Sequence, residues 1–110
     1  MGKSNKLPYK VTPSKDSKQV TIAISGNLSL DSVDSVKLML IKNLNQFQVF
    51  NFKVIDVENI DLGIVQLLYS FKASAERKSK SISFEFFLKE DHKQLLEHAG
   101  FTELVNGNQI

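Results

Sequence analysis

Apolar residues recur at every second position in some stretches of this chain and at every third or fourth position in others. The first pattern is typical of strands and the second of helices, so their order leaves few folds open to the chain. Strands are predicted over residues 9–12, 19–25, 50–57 and 82–88, and helices are predicted over residues 30–44, 64–75 and 91–99.

The apolar faces of the predicted elements together define the expected core. The run Val54-Ile55 suggests that the third strand is buried on both faces, which places it inside the sheet. The strands contribute alternating residues, and the helices contribute residues three or four positions apart. The expected core residues are Val20, Ile22, Ile24, Val33, Val36, Leu40, Leu44, Phe50, Phe52, Val54, Ile64, Leu67, Leu68, Phe71, Ala75, Ile82, Phe84, Phe86, Leu88, Leu95, Leu96 and Ala99.

Local signals predict where these elements begin and end. Asp31 or Ser32 can accept hydrogen bonds from the first amides of the first helix, and Asp61 is the natural N-cap of the second. The pair Gly26 and Asn27 is predicted to form a turn that ends the second strand. Gly100 follows the last helix, at the position where a left-handed residue is favoured.

The order of elements, β-β-α-β-α-β-α, predicts an α/β fold with right-handed crossovers. We expect a single layer of mixed, largely parallel sheet with helices packed on it. One domain is expected over residues 19–105, because Phe101, Leu104 and Val105 are expected to fold back onto the core. Residues 1–18 are predicted to be a basic leader with a short edge strand, and residues 106–110 a frayed tail.

Composition excludes several classes of protein. The chain has no cysteine, which excludes disulfides, thiolate nucleophiles and Cys-ligated metals. Its apolar runs are too short to span a bilayer, and no apolar stretch after the first lysines would serve as a signal peptide. A cytoplasmic location and the absence of an integral membrane segment are therefore expected. Nucleic acid binding is not expected, because no Lys/Arg-rich face with exposed aromatic residues follows the leader.

The titratable residues offer little for catalysis. Asp56, Glu58 and Asp61 raise the alternative of a Mg²⁺ site, but we expect no metal, no cofactor and no catalytic residue. His92 and His98 are six residues apart, so they lie on different faces of a helix and are interpreted as surface residues. The chain also contains no glycine-rich phosphate loop and no nucleophile elbow, and an enzyme is not expected.

Three local motifs in the expected order resemble the STAS domain, the fold of bacterial anti-sigma factor antagonists. Residues 20–28 (VTIAISGNL) are similar to the family's strand that ends in Gly-Glu-Leu, with Asn27 in place of the usual acid. Residues 60–68 (IDLGIVQLL) resemble the family's Ile-Asp-Ser-Ala-Gly-Leu-Gln-Leu-Leu. Residues 95–101 (LLEHAGF) resemble its last helix and turn. The resemblance covers residues 20–105.

The resemblance implies a regulatory site at the start of the second helix. In that family a kinase phosphorylates the serine or threonine that follows the motif aspartate, and here Leu62 occupies this position. No serine or threonine occurs between Ser35 and Ser70, so the usual switch is expected to be missing. The protein is therefore predicted to be a signal-transduction module that binds its partner without phosphorylation.

The residues predicted to bind a protein partner are Asn27, Asp61, Leu62, Gly63 and Ile64. Asp61 is interpreted either as a helix cap alone or as part of a docking loop, and Leu62 and Ile64 either as exposed anchors or as core. The partner implied by the resemblance is an anti-sigma factor or serine kinase-like protein. The alternatives are that the chain is a cytoplasmic accessory subunit of an ABC-type transport complex, or that it binds a small ligand. A homodimer is also considered.

Overall fold

The structure is a computed structural model that describes residues 8–100. Four strands form one sheet in the order β1-β2-β3-β4, in which β1 and β2 are antiparallel while β2, β3 and β4 are parallel. The elements are β1 (Tyr9–Pro13), β2 (Gln19–Leu28), a short 3-10 helix (Leu30–Ser32), α1 (Val33–Leu44), β3 (Val49–Ile60), α2 (Leu62–Arg77), β4 (Ser81–Phe86) and α3 (Glu90–His98). The predicted fold class is confirmed.

A tight connection between β1 and β2 sets the antiparallel pairing at the edge of the sheet. Ser14 N–H donates to the Gln19 carbonyl at 2.9 Å, and Ser17 takes up a left-handed φ of 60°. Asp16 stabilises the turn, since its Oδ1 accepts from Ser14 Oγ at 2.6 Å and from Lys18 N–H at 3.0 Å. These contacts hold the turn that joins β1 to β2, and β1 is the edge strand of the sheet.

The core lies between one face of the sheet and the helices. Val20, Ile22 and Ile24 on β2 are buried, as are Phe50 and Phe52 on β3, in agreement with the predicted alternation. Helices that cross between parallel strands on the same side of a sheet cover one face of it. The buried helix residues that belong to the same cluster are Val36, Met39, Leu40, Ile64, Val65, Leu68, Phe71, Ala75 and Leu96.

Aromatic rings form the centre of this core. The ring of Phe52 is stacked on Phe84 with centroids 5.0 Å apart and meets Phe71 edge-on at 5.5 Å. Phe71 also meets Phe50 edge-on at 5.1 Å. Such pairs stabilise a core beyond the apolar area that they bury, and here they tie α2 to β3 and β4.

A single lysine fixes the end of α1 against the start of β4. Lys80 Nζ donates to the carbonyl of Leu44 and to the carbonyl of Phe47, both at 2.6 Å. The last carbonyls of a helix have no partner within the helix, so a cation at this position satisfies them. The same ammonium lies 5.9 Å from the centroid of the Phe50 ring.

The opposite face of the sheet carries polar and small side chains. A ladder of hydrogen bonds crosses three strands on this face: Asn51 Nδ2 donates to Gln19 Oε1 at 3.4 Å, and Ser83 Oγ donates to Asn51 Oδ1 at 3.0 Å. Lys53 and Glu85 are exposed beside the ladder. A polar face of this kind is usual for a sheet that is covered on one side only, so the predicted burial of the third strand on both faces is wrong.

The predicted turn at Gly26 and Asn27 is wrong, because β2 continues through both residues to Leu28. β3 carries extra residues relative to β2 here, since Gly26 pairs with Val57 and Asn27 with Asn59. Gly26, with φ of 83°, adapts the strand to these register shifts. The glycine therefore marks an irregularity in strand pairing and not the end of the strand.

The predicted end of the fourth strand is also wrong. β4 ends at Phe86, which pairs with Val54, whereas Leu88 lies outside the strand and is only partly buried against the core. Just beyond Val54, Asp56 takes a left-handed φ of 54°. The regular extended backbone of β3 is interrupted there, so β4 cannot continue its parallel pairing with β3 beyond Phe86.

The last helix buries less than predicted. Leu96 is fully buried, but Leu95 is 42% exposed and Ala99 is exposed. Adjacent positions on a helix are about 100° apart, so a helix that touches the core along one narrow stripe buries only one of two neighbours. Gly100 has the predicted left-handed φ, 93°. The predictions for Phe101, Leu104, Val105 and the tail lie outside the described residues.

The histidines differ from each other in burial. His98 is exposed, as predicted, whereas His92 is half-buried and its Nδ1 has no hydrogen-bond partner among residues 8–100. No helix within residues 8–100 is long and apolar enough to cross a bilayer.

Candidate functional site

The predicted binding residues lie at the edge of the sheet where the parallel strands β2 and β3 end. The 3-10 helix and α2 begin at this edge and contact each other. In open α/β sheets, the carboxyl ends of the strands are the usual place for binding sites. We call this surface the strand-end edge and define it by residues 25–33 and 56–63.

Asp61 organises the start of α2 at this edge. Its backbone is extended, with φ −98° and ψ 142°, and its Oδ1 accepts from Gly63 N–H at 2.7 Å. Its own backbone N–H donates to the Leu28 carbonyl at 2.7 Å. Asp61 is therefore the predicted helix N-cap, and it also joins α2 to the end of β2.

Gly63 leaves room for the capping carboxylate of Asp61. A Cβ atom at residue 63 would lie 2.9 Å from Asp61 Oδ1 and 3.5 Å from Val33 Cγ2. The first distance is too short for a carbon against a carboxylate oxygen that must stay in place to cap the helix. Gly63 thus allows the cap and the close approach of α1 to α2.

Asn27 joins β2 to both neighbouring segments. It pairs with Asn59 of β3, whose Nδ2 donates to Asn27 Oδ1 at 3.4 Å. Its backbone carbonyl accepts from Ser32 Oγ at 3.0 Å. The Asn27 side chain is exposed, so it is accessible to a partner while its backbone positions the 3-10 helix.

The two apolar residues predicted at the site have different positions. Leu62 is half-buried and packs against the core, with part of its surface at the edge. Ile64 is fully buried in the core cluster, so it is a core residue and not a surface anchor. The cause is the helical period, because Ile64 lies on the same face of α2 as the buried Leu68.

Sequence reasoning missed the most exposed apolar residue of the edge. Leu30 begins the 3-10 helix and is 71% exposed, although the apolar pattern suggested that it starts the buried stripe of α1. The tighter 3-10 turn changes the direction of its side chain relative to an α-helix. No local signal in the sequence distinguishes these two cases.

A polar cleft of about 420 Å³ opens beside Asn27. It is lined by Pro8, Ser25, Gly26, Asn27, Ser32, Asp56 and Glu58. Within residues 8–100 no three His, Cys, Asp or Glu side chains are grouped closely enough to hold a metal ion. Of the acids considered for Mg²⁺, Asp56 and Glu58 line the cleft, whereas Asp61 Oδ1 accepts from Gly63.

The strand-end edge is acidic. Residues 25–33 and 56–63 contain Asp31, Asp56, Glu58 and Asp61 but no lysine or arginine. Lys89 lies close to this edge, because it lines a shallow depression with Asp56. Acidic side chains near helix N-termini interact favourably with the helix dipole, which accounts for part of this pattern.

Comparison of the structure with solved structures identifies the fold. Over 88% of this chain, the structure is similar to the phosphorylated form of the Bacillus cell fate determinant SpoIIAA, with a TM-score of 0.66. The chain has a STAS-like fold. The sequence identity is 10% and the match covers 87% of SpoIIAA.

Two further structures agree with this assignment. The unphosphorylated form of the anti-sigma factor antagonist SpoIIAA matches with a TM-score of 0.61 and 9% identity, over 84% of this chain and 98% of SpoIIAA. An uncharacterized protein from Shewanella loihica with a SpoIIAA-like fold matches with a TM-score of 0.52 and 13% identity, over 92% of this chain and 84% of that protein.

The likeness is one of structure. No protein-family model and no curated protein sequence matches the chain. The predicted resemblance to STAS domains is confirmed at the level of the fold. A fold alone does not carry a function, so the chemistry of the strand-end edge has to support one.

Proposed function

We propose that this protein is a non-enzymatic regulatory module that binds a protein partner through the strand-end edge. The observation that carries the proposal is the combination of an exposed Leu30 with a rim of four acids and the exposed amide of Asn27. Apolar anchors within a polar rim are the usual composition of a protein interface. The proposed site is therefore Asn27, Leu30, Leu62 and the cap formed by Asp61 and Gly63.

The charge of the edge supports a protein partner with a basic surface. Four carboxylates with Lys89 alongside them repel phosphate groups, which disfavours nucleic acid at this surface. A positive partner surface would be steered toward the same edge, and its binding would weaken as salt is raised. A cytoplasmic location is part of this proposal.

The proposal includes partner binding without a phosphorylation switch at the start of α2. The similar protein SpoIIAA is known in phosphorylated and unphosphorylated forms. In this chain Leu62 follows the capping Asp61, and a leucine has no hydroxyl to accept a phosphate. The region can dock a partner but has no serine or threonine at the place where the family is modified.

The docking surface is tested by affinity purification from the source cells with Leu30→Asp and Leu62→Asp. Both variants are expected to lose the same partner that the unchanged protein retains. Ser83→Asp, on the open face of the sheet, is the matched control and should retain it. Leu62 is half-buried, so Leu62→Asp could unfold the protein. In that case the result for Leu30→Asp alone tests the docking surface. Retention of the partner by a folded Leu30→Asp protein would overturn the proposal.

The absence of the switch has its own test. The protein is isolated from its source cells and its intact mass is measured, followed by peptide mapping. No phosphate is expected on residues 56–70, whose hydroxyl side chains are those of Tyr69 and Ser70. A stoichiometric phosphate there would contradict phosphorylation-independent binding, while the docking surface itself would still be decided by Leu30→Asp.

A further inference from the structure

A second surface with different chemistry lies between the two long helices. A groove of about 260 Å³ separates α1 from α2. α1 lines it at positions i, i+3, i+4 and i+7, with Lys37, Leu40, Ile41 and Leu44. These positions follow one stripe along the helix for about 10 Å, or two turns. The groove is thus an elongated depression that follows the helix axes.

α2 supplies the opposite wall with the same periodicity. Leu67 and Phe71 provide its apolar part, and Ser70 and Ser74 provide hydroxyl groups. The volume is below the range of about 300–1,000 Å³ that is common for small-molecule sites. The dimensions suit the side chains of a docked helix better than an enclosed small ligand.

Exposed apolar residues extend the groove on the α1 side. Leu38 is 67% exposed and Ile41, three residues later, is 59% exposed. Isolated apolar residues on a surface are common, but these two adjoin an apolar depression. Together they form a continuous surface that we call the helix groove, defined by the eight lining residues and Leu38.

Cations mark both ends of the helix groove. Lys37 lines the end near the start of α1, and Arg77 Nη2 donates to Ser74 Oγ at 3.4 Å at the other end. Residues 35–55 and 62–75 contain no aspartate or glutamate. Two acids lie just outside these ranges: Asp34, one turn before Lys37 in the first turn of α1, and Glu76, which is paired with Lys72 Nζ at 2.8 Å. Neither lines the groove. The surface is therefore apolar along its centre and positive at its ends.

The charge pattern of the helix groove favours one kind of binding partner over another. In a symmetric pair of copies joined through this groove, Lys37 and Arg77 of each copy would meet a surface without carboxylates, so like charges would oppose association. A helix with apolar residues at i, i+3, i+4 and i+7 and carboxylates beside them matches both the stripe and the charge. We propose that the helix groove binds an acidic amphipathic helix of a partner protein.

This proposal goes beyond the docking site at the strand-end edge, with which the helix groove shares no lining residue. The edge is acidic and suits a basic partner, whereas the groove is basic and suits an acidic one. Two surfaces of opposite preference would allow the domain to hold two partners at once.

The experiment titrates isotope-labelled protein with two synthetic peptides of about 18 residues, long enough to form a helix. Both carry leucine at i, i+3, i+4 and i+7, and they differ only in having glutamate or lysine at the flanking positions. The glutamate peptide is expected to shift the methyl resonances of Leu40, Ile41 and Leu67 and to bind about tenfold more tightly than the lysine peptide. High salt should reduce the difference.

Three variants test whether the peptides bind in the helix groove. Ile41→Asp should abolish binding of the glutamate peptide, and the folded state is expected to persist because the side chain is exposed. The double change Lys37→Glu with Arg77→Glu should reverse the preference in favour of the lysine peptide. Lys10→Glu on β1 is the matched control and should change nothing. Circular dichroism and urea unfolding verify the fold of each variant.

Several outcomes would overturn the proposal. Equal affinity for both peptides would show that the charges at the ends of the groove do not select the partner. Chemical shift changes centred on residues outside the helix groove would show that the peptide binds elsewhere. No binding of the glutamate peptide at millimolar concentration would also overturn the proposal. A dimer in analytical ultracentrifugation that Ile41→Asp dissociates would assign the groove to a second copy instead.

Discussion

Asp61 Oδ1 lies 2.7 Å from the backbone nitrogen of Gly63, and a Cβ atom on residue 63 would lie 2.9 Å from the same oxygen. The cap of α2 and the glycine that follows it therefore depend on each other. A side chain at residue 63 would displace the carboxylate from its present capping position.

Asp61→Ala is expected to destabilise the protein by about 1 kcal/mol, since it removes the capping hydrogen bond. Gly63→Ala should cost less, because it displaces the same carboxylate but gains the higher helix propensity of alanine. Their combination should cost less than the sum, because the second change has no cap left to disturb. Urea denaturation of the four proteins measures this, and strictly additive losses would show that the two residues act independently.

Lys80→Met should remove the two hydrogen bonds to the carbonyls of Leu44 and Phe47 and leave these acceptors without their cation. We expect a loss of about 1–3 kcal/mol in the free energy of unfolding. Lys78→Met is the matched control, because Lys78 is exposed and should change stability by less than about 0.5 kcal/mol. Equal effects of the two substitutions would contradict the assigned role of Lys80.

Phe52→Ala should be among the most damaging single changes, because the Phe52 ring contacts both Phe71 and Phe84. Removal of a buried aromatic side chain costs about 3–5 kcal/mol, which approaches the whole stability of a small domain. Phe87→Ala is the comparison, since Phe87 is 54% exposed. A thermal unfolding temperature that falls equally in both variants would argue against the aromatic centre of the core.

Two hydrogen bonds lower the pKa of Asp16 from its ordinary value of 3.8. The larger effect is that of the Ser14 hydroxyl, and the smaller is that of the Lys18 backbone N–H. A carboxyl group whose pKa is lower in the folded state stabilises the fold above its unfolded pKa, and this contribution is lost as the pH falls through the folded pKa. Ser14→Ala should therefore raise the Asp16 midpoint in a carbon-detected NMR titration. An unchanged midpoint would show that the hydroxyl is not the main cause.

The sequence predicted the elements and the core well where the period of the apolar pattern was unambiguous. The alternation at Val20, Ile22 and Ile24 and the cap at Asp61 are both present in the structure. The misplaced features depend on pairing between segments distant in sequence. Gly26 became part of a continuous strand because β3 carries extra residues opposite it, and only the register with Val57 reveals this.

The candidate site was predictable in part. Asn27, Asp61, Leu62 and Gly63 all lie at the strand-end edge, but the sequence left open whether Ile64 faces the surface, and the structure buries it. Leu30 could not be identified beforehand, because its exposure results from a 3-10 turn rather than from its position in the apolar pattern. The polar cleft likewise depends on left-handed backbone at Gly26 and Asp56.

Site-specific photo-crosslinking in the source cells tests partner docking at the strand-end edge most directly. Benzoylphenylalanine is placed at position 30, where Leu30 is exposed, and at position 83 on the open face of the sheet as the control. The predicted result is one crosslinked adduct with a second, different protein chain from position 30 and none from position 83. Equal adducts at both positions, an adduct only with another copy of this chain, or no adduct from position 30 would contradict the account.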